Sequence, residues 1–222
     1  MPGKLQKFSE VNSFENCFYL GYPERDKGLP LRGMWRKEFF KNEHPVVLEL
    51  GCGRGEYTIG LAKNSPQKNF IGVDIKGARI WTGAKKAVDE QLQNVAFIRT
   101  RIDFIEACFS ENEVDEIWIT FPDPQPQKGR ERKRLTNHLF LSRYMKFLKP
   151  GGSIHLKTDN TGLFLFSVES FRSFGLKEHF VTEDLYQEVP EGRSELISIK
   201  TYYEKLFTEK GEKIKYLLFS KH

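Results

Sequence analysis

The stretch LELGCGRGEYTIGLA, Leu48 to Ala62, places three glycines directly after a short apolar run and just before an amphipathic one. Glycine in such a turn permits positive φ and close approach of the backbone to a ligand, and the helix start that follows offers unpaired N–H groups. The stretch therefore reads as strand, turn and helix, with a nucleotide-type site in the crevice beyond the strand's carboxyl end. Its spacing, Gly51, Gly53 and Gly55, is G-x-G-x-G and not the G-x-G-x-x-G of a dinucleotide pyrophosphate turn. Glu49, two residues before the first glycine, would repel a pyrophosphate and attract a cation. A sulfonium that carries an amino group is such a ligand.

Working outward, VVLEL (46–50), NFIGVD (69–74), NVAFIR (94–99), VDEIWITF (114–121) and SIHLKTD (153–159) are short apolar, β-branched or aromatic runs. Helix-length stretches separate them, with apolar residues at 3.6-type spacing such as Ile80, Ala84, Ala87, Val88 and Phe140, Tyr144, Phe147, Leu148. Residues 31–42 are read as a short helix, the helix before LKPGG (148–152) as ending there, and residues 161–174 as a further helix. The tail segments LKEHFVTEDLY, TYYEKLFTEKG and KIKYLLFSK read as strand, short helix and strand. The expected fold is α/β: a Rossmann-like, doubly wound, seven-stranded, mostly parallel sheet with a C-terminal antiparallel hairpin. Residues 1–30, with scattered aromatics, Pro23 and Pro30, read as an N-terminal arm on a domain spanning 31–222.

A formal charge of +5 and a pI near 9.0 lean toward an anionic partner. Cys17, Cys52 and Cys108 are few, odd in number and widely spaced, which predicts no disulfide framework and no metal site. Without an apolar segment near membrane-spanning length, the expectation is a cytoplasmic protein with no membrane partner, as monomer or homodimer. His138 and His155 are read as structural or surface residues.

Asp74 ends the second run, 23 residues after Gly51, where a carboxylate accepts hydrogen bonds from both hydroxyls of a ribose. Asp103, after the third run, is placed for an adenine amino group. With Glu49 and the glycines, these acids predict S-adenosylmethionine as the bound group, with S-adenosylhomocysteine as its product.

The segment FPDPQPQKGRERKR, Phe121 to Arg134, holds Asp123 between two prolines at the end of the fourth run and then lays down Lys128, Arg130, Arg132, Lys133 and Arg134. The order E-x-G-x-G-x-G, Asp74, Asp103 and FPDP resembles a class I S-adenosylmethionine-dependent methyltransferase. More narrowly, residues 121–136 are similar to the signature F-[PS]-D-P-W-P-K-K-R-H-x-K-R-R-L-T of the tRNA (guanine-N7)-methyltransferase family. Gln125 stands where the family has Trp, and Gln127 where it has its first Lys. The resemblance covers about residue 31 to the C-terminus. It implies methyl transfer to guanine N7 in the variable loop of tRNA, with Gln127, Asp159 of KTDN, and Thr201 and Glu204 of TYYE near the target nucleoside.

Residue chemistry agrees with that implication. Guanine N7 is an acceptor with a free lone pair, so its methylation needs no strong base but does need alignment and electrostatic support, the role expected of Asp123, which also borders the donor. The basic run would hold phosphates beside it. Two rivals stand: a methyltransferase of this fold acting on another RNA or a protein, and a non-catalytic tRNA-binding protein. A nicotinamide-dependent dehydrogenase fits poorly because of Glu49 and the glycine spacing.

Overall fold

The protein is described by a computed structural model over residues 3–222, so Met1 and Pro2 of the expected arm lie outside the described residues. The strands are β1 (Cys17–Tyr19), β2 (Val46–Leu50), β3 (Asn69–Asp74), β4 (Val95–Arg99), β5 (Val114–Thr120), β6 (Leu148–Thr158), β7 (Lys177–Thr182) and β8 (Lys215–Ser220). The helices are α1 (Lys4–Glu10), α2 (Glu56–Asn64), α3 (Gly77–Asp89), α4 (His138–Tyr144), α5 (Thr161–Ser173), α6 (Glu195–Ser198) and α7 (Tyr202–Glu209). One sheet contains all eight strands in the order β1-β4-β3-β2-β5-β6-β8-β7. Pairing is parallel from β1 to β6, and β8 runs antiparallel between β6 and β7.

The sheet is α/β and mostly parallel with a C-terminal antiparallel pair, but it has eight strands where the sequence predicts seven. The extra one is β1, three residues with no apolar alternation of their own; its pairing with β4 (Cys17 with Phe97, Tyr19 with Arg99) makes it a strand. Around it, α1 packs on α3, and Val11 and Leu20 are buried. The expected helix at 31–42 is a single π-type turn, Trp35–Phe40, closed by Lys41 in the left-handed region. The helix expected before LKPGG stops at Tyr144, and LKPGG itself belongs to β6: Leu148 pairs with Val114, and Gly151 and Gly152 exchange hydrogen bonds with Lys221. Two glycines and a proline were locally a helix stop, but neighbouring strands supplied partners that made the segment extended.

The central strands are buried on both faces, as crossover helices require. Val46, Leu48 and Leu50 of β2 face a cluster with Ile117, Ile119, Phe147 and Phe171, while Val47 faces Tyr57, Phe97 and Trp118. From β2 the chain steps outward to β3 and β4, then returns to β5 on the other side of β2. That reversal opens a crevice beyond the carboxyl ends of β2 and β5. Among the described residues, no helix is long and apolar enough to cross a membrane.

Candidate active site

Strand order sets the layout of the site. Asp103 follows β4, Asp74 ends β3, Gly51 follows β2, Asp123 follows β5 and Asp159 follows β6, all along the carboxyl edge. At about 4.8 Å per strand, the five positions form a row roughly 19 Å from end to end.

Gly51, Gly53 and Gly55 all take positive φ, at 76°, 56° and 71°. A Cβ on Gly55 would come within 2.7 Å of the Phe97 ring, so this glycine lets the start of α2 pack on β4. Gly51 and Gly53 instead face open space, which leaves the backbone bare toward the crevice. The Gly53 N–H donates to Asp74 Oδ2 (3.0 Å) and the Lys76 N–H to Asp74 Oδ1 (2.8 Å). Each Asp74 oxygen retains a lone pair. A cleft of about 390 Å³ runs from Gly51 past Asp74 to Asp103, walled by Ile75, Ile102, Leu135 and Phe140. Asp103 is half-buried, with Arg101 at 2.8 Å and Arg143 at 3.5 Å.

Glu49 departs from expectation. It is 3% exposed, and its carboxylate accepts from the Thr58 N–H (2.8 Å), the Thr58 hydroxyl and the Thr120 hydroxyl (2.6 Å). Both oxygens are thus engaged inside the protein, tying β2 to the first turn of α2 and to β5. Burial pushes its pKa up to about 7 against these three hydrogen bonds.

The loop after β5 is bent at two non-glycine residues of positive φ, Phe121 (47°) and Gln125 (45°). Such backbone is costly and gathers at functional sites. Exposed Asp123 lies between them, its Oδ1 accepting the Gln125 N–H at 3.0 Å. Lys128, Arg130, Arg132 and Lys133 are exposed on a 3-10 turn, and Arg132 and Lys133 also wall the cleft. Arg134 turns inward. It is 9% exposed, and its guanidinium donates to the carbonyls of Pro124 (3.1 Å) and Gln125 (3.3 Å), so the phosphate contact expected of it is not open in this fold.

The sequence profile of a family described as "Putative methyltransferase" matches residues 43–217. A tRNA (guanine-N(7)-)-methyltransferase of Porphyromonas gingivalis is 53% identical over 200 residues, covering 88% of this chain and 79% of the relative. One of Christiangramia forsetii is 48% identical over 217 residues, 97% and 96% of the two chains. The chain belongs to the tRNA (guanine-N7)-methyltransferase family. Solved structures share the fold at low identity: an antibiotic-related methyltransferase (TM-score 0.62, 21% identity, 84% of this chain and 92% of that one) and the 16S rRNA methyltransferase KamB (0.63, 14%, 83% and 91%).

The remaining positions of the family's motifs divide by burial. Gln127 is exposed at the start of the basic turn. Asp159 is half-buried, and desolvation raises its carboxyl pKa; the cap of α5 is its neighbour Asn160, which accepts from the Leu163 N–H at 2.8 Å. Thr201 caps α7 by accepting the Glu204 N–H (3.1 Å). Glu204 is fully buried and accepts from the Lys157 ammonium (2.8 and 3.0 Å) and the Tyr186 hydroxyl (3.0 Å), so its carboxylate does not face the crevice. T-x-x-E is a capping-box sequence, and Lys157 in KTD diverts its acid. Lys157 and the apolar cleft walls carry no motif of their own in the sequence; an apolar residue directly after Asp74, Ile75, is the one local sign of the walls, and the fold leaves it 54% exposed. Among the described residues, no group of three or more His, Cys, Asp or Glu side chains is clustered to hold a metal.

Proposed function

We propose that the chain transfers a methyl group from S-adenosylmethionine to N7 of a guanine in the variable loop of tRNA. The observation that carries this reading is one shared edge: the cleft at Gly51, Asp74 and Asp103 has Arg132 and Lys133 of the basic turn in its wall, and Asp123 lies on the next strand end.

The cleft suits the donor. Asp74 has lone pairs left for ribose hydroxyls, Asp103 lines the cleft where it would take the adenine amino group, Ile75, Ile102, Leu135 and Phe140 supply apolar walls, and Gly51 and Gly53 leave backbone open toward the aminoacyl end. Glu49 supports this site from below, by holding the glycine turn, instead of touching the ligand. When bound, the donor supplies an electrophilic methyl on a sulfonium. Asp123, on its bent loop, aligns the reactants and offers negative charge where positive charge develops on the guanine. It removes no proton, because N7 carries none. Asp159, on the neighbouring strand end, can accept from guanine N1–H and N2–H, a pair adenine lacks. Gln127 lies at the loop's exposed rim, while Thr201 and Glu204 act by seating α7.

The test is mass spectrometry of nucleosides from bulk tRNA after incubation with the protein and methyl-labelled donor. Labelled 7-methylguanosine is expected among the nucleosides, and base-specific ribonuclease fragments of the same tRNA should carry the label in the variable loop alone. Label in another base or in protein, or tRNA binding without label, would replace the reading by one of its rivals. Asp123→Asn should keep much of the donor affinity but slow transfer by about a hundredfold, the typical worth of one preorganised electrostatic group.

A further inference from the structure

We infer that Arg134 is a positioning residue that sets the Asp123 carboxylate through the peptide plane joining Pro124 to Gln125. The carbonyl of that peptide accepts from Arg134 Nε at 3.1 Å, and the N–H of the same peptide donates to Asp123 Oδ1 at 3.0 Å. A peptide unit is planar and rigid, so its two ends move together. A second arm of the guanidinium, Nη2, reaches the Gln125 carbonyl at 3.3 Å, gripping the residue whose φ of 45° makes the bend. Left-handed backbone at a glutamine persists only where its surroundings over-determine it, and the fork on successive carbonyls does this.

The arginine is itself held. Its guanidinium lies 4.4 Å over the Phe166 ring on α5, and Nη1 is 3.8 Å from Glu131. Little of it reaches solvent, unlike its four basic neighbours. A cation on the carbonyl also polarises the peptide and strengthens the N–H bond to Asp123 at its other end, as in any hydrogen-bond chain. The fifth charge of a run that looks built for RNA thus belongs to the reaction centre. This inference rests on the reading of Asp123 given above.

The test compares wild type, Arg134→Lys, Phe166→Leu, Asp123→Ala and the Arg134→Lys/Asp123→Ala double variant in single-turnover methyl transfer to tRNA, with tRNA affinity measured against salt. Lysine keeps the charge but not the fork. Arg134→Lys is expected to lower the saturated rate about tenfold to a hundredfold, the range for a sub-ångström to ångström misplacement, with tRNA affinity and its salt slope unchanged. In the Asp123→Ala background the same change should cost nothing further, because the group it positions is gone. Phe166→Leu, which loosens the guanidinium without removing it, should move the rate in the same direction by less, and it carries the test if Arg134→Lys fails to fold. Multiplicative losses in the double variant would overturn the inference. So would an unchanged saturated rate with a salt slope smaller by about 0.7 to 0.9, the signature of one lost phosphate contact. Failure of the wild-type protein to methylate tRNA would instead overturn the functional reading itself.

Discussion

Glu49 sits inside the molecule at the end of β2, and among the described residues its hydrogen-bond partners are threonines and no cation is paired to it. Burial holds its pKa at about 7 in the folded protein against an ordinary 4.5. The folded state therefore retains a proton that the unfolded chain gives up, and the stability this contributes is complete below about pH 4.5 and is lost as pH rises through about 7. At 1.36 kcal/mol per unit the change is roughly 3 kcal/mol. Urea denaturation of wild type and Glu49→Gln between these limits should show the two stabilities diverging with pH; parallel curves would mean that Glu49 is solvated. In the Glu49→Gln protein, single-turnover transfer should be flat from about pH 6.5 to 8.5, far above an ordinary Asp pKa near 3.9. A tenfold rise per pH unit there would mean that a proton is removed, and that the acceptor is not N7.

Residues 183–214, between β7 and β8, carry α6 and α7 and lay Leu185, Leu196, Ile199 and Ile214 on the cluster around Tyr57 and Trp118. Their polar anchor is the Lys157–Glu204 pair, both side chains fully buried, with the Lys157 ammonium also donating to the Leu196 carbonyl at 2.6 Å. Desolvation lowers the Lys157 pKa while Glu204 opposes it. Removing one partner leaves the other charge buried and alone, so Glu204→Ala should cost about 3 to 5 kcal/mol in denaturant titration, whereas Lys157→Met with Glu204→Leu should recover most of it. A loss below about 1 kcal/mol would place the pair in solvent. The basic 3-10 turn is a second such element. Replacing Lys128, Arg130, Arg132 and Lys133 with glutamine should flatten the dependence of log tRNA affinity on log salt by up to about 3. Because two of these side chains wall the cleft, donor affinity should shift as well. An unaltered slope would make the turn a solvated surface.

At the scale of the whole molecule, the cleft is built by residues from the ends of β2, β3 and β4 and by residues 132–140 far along the chain. It exists only when the sheet is assembled, so a ligand of this cleft would bind the folded state alone and stabilise it. At a hundred times its Kd the donor should add about 2.7 kcal/mol. For a chain of this size that is a rise of roughly 5 to 10 °C in Tm. Thermal melts with S-adenosylmethionine should show this rise, NAD at equal concentration should not, and Asp74→Ala should reduce it. A shift with NAD and none with the methyl donor would sink the assignment of the cleft.

The alternation of apolar runs and helical spacing, the glycine turn and the acids at strand ends were legible in the sequence because they are local. Periods of two and 3.6, left-handed glycine and X-Pro restraint act over a few residues. That is why Gly51, Asp74, Asp103, Asp123 and Asp159 read from the sequence as lying at or just after strand ends. What tertiary structure decided is partnership across long separations: β1 became a strand by pairing with β4, LKPGG became part of β6 by pairing with β5 and the C-terminus, and Glu204 met Lys157 across 47 positions. Arg132 and Arg134, two residues apart in one basic run, look outward and inward. Charge and propensity are the same for both, and only the carbonyls of Pro124 and Gln125 and the ring of Phe166, brought close by the fold, separate them.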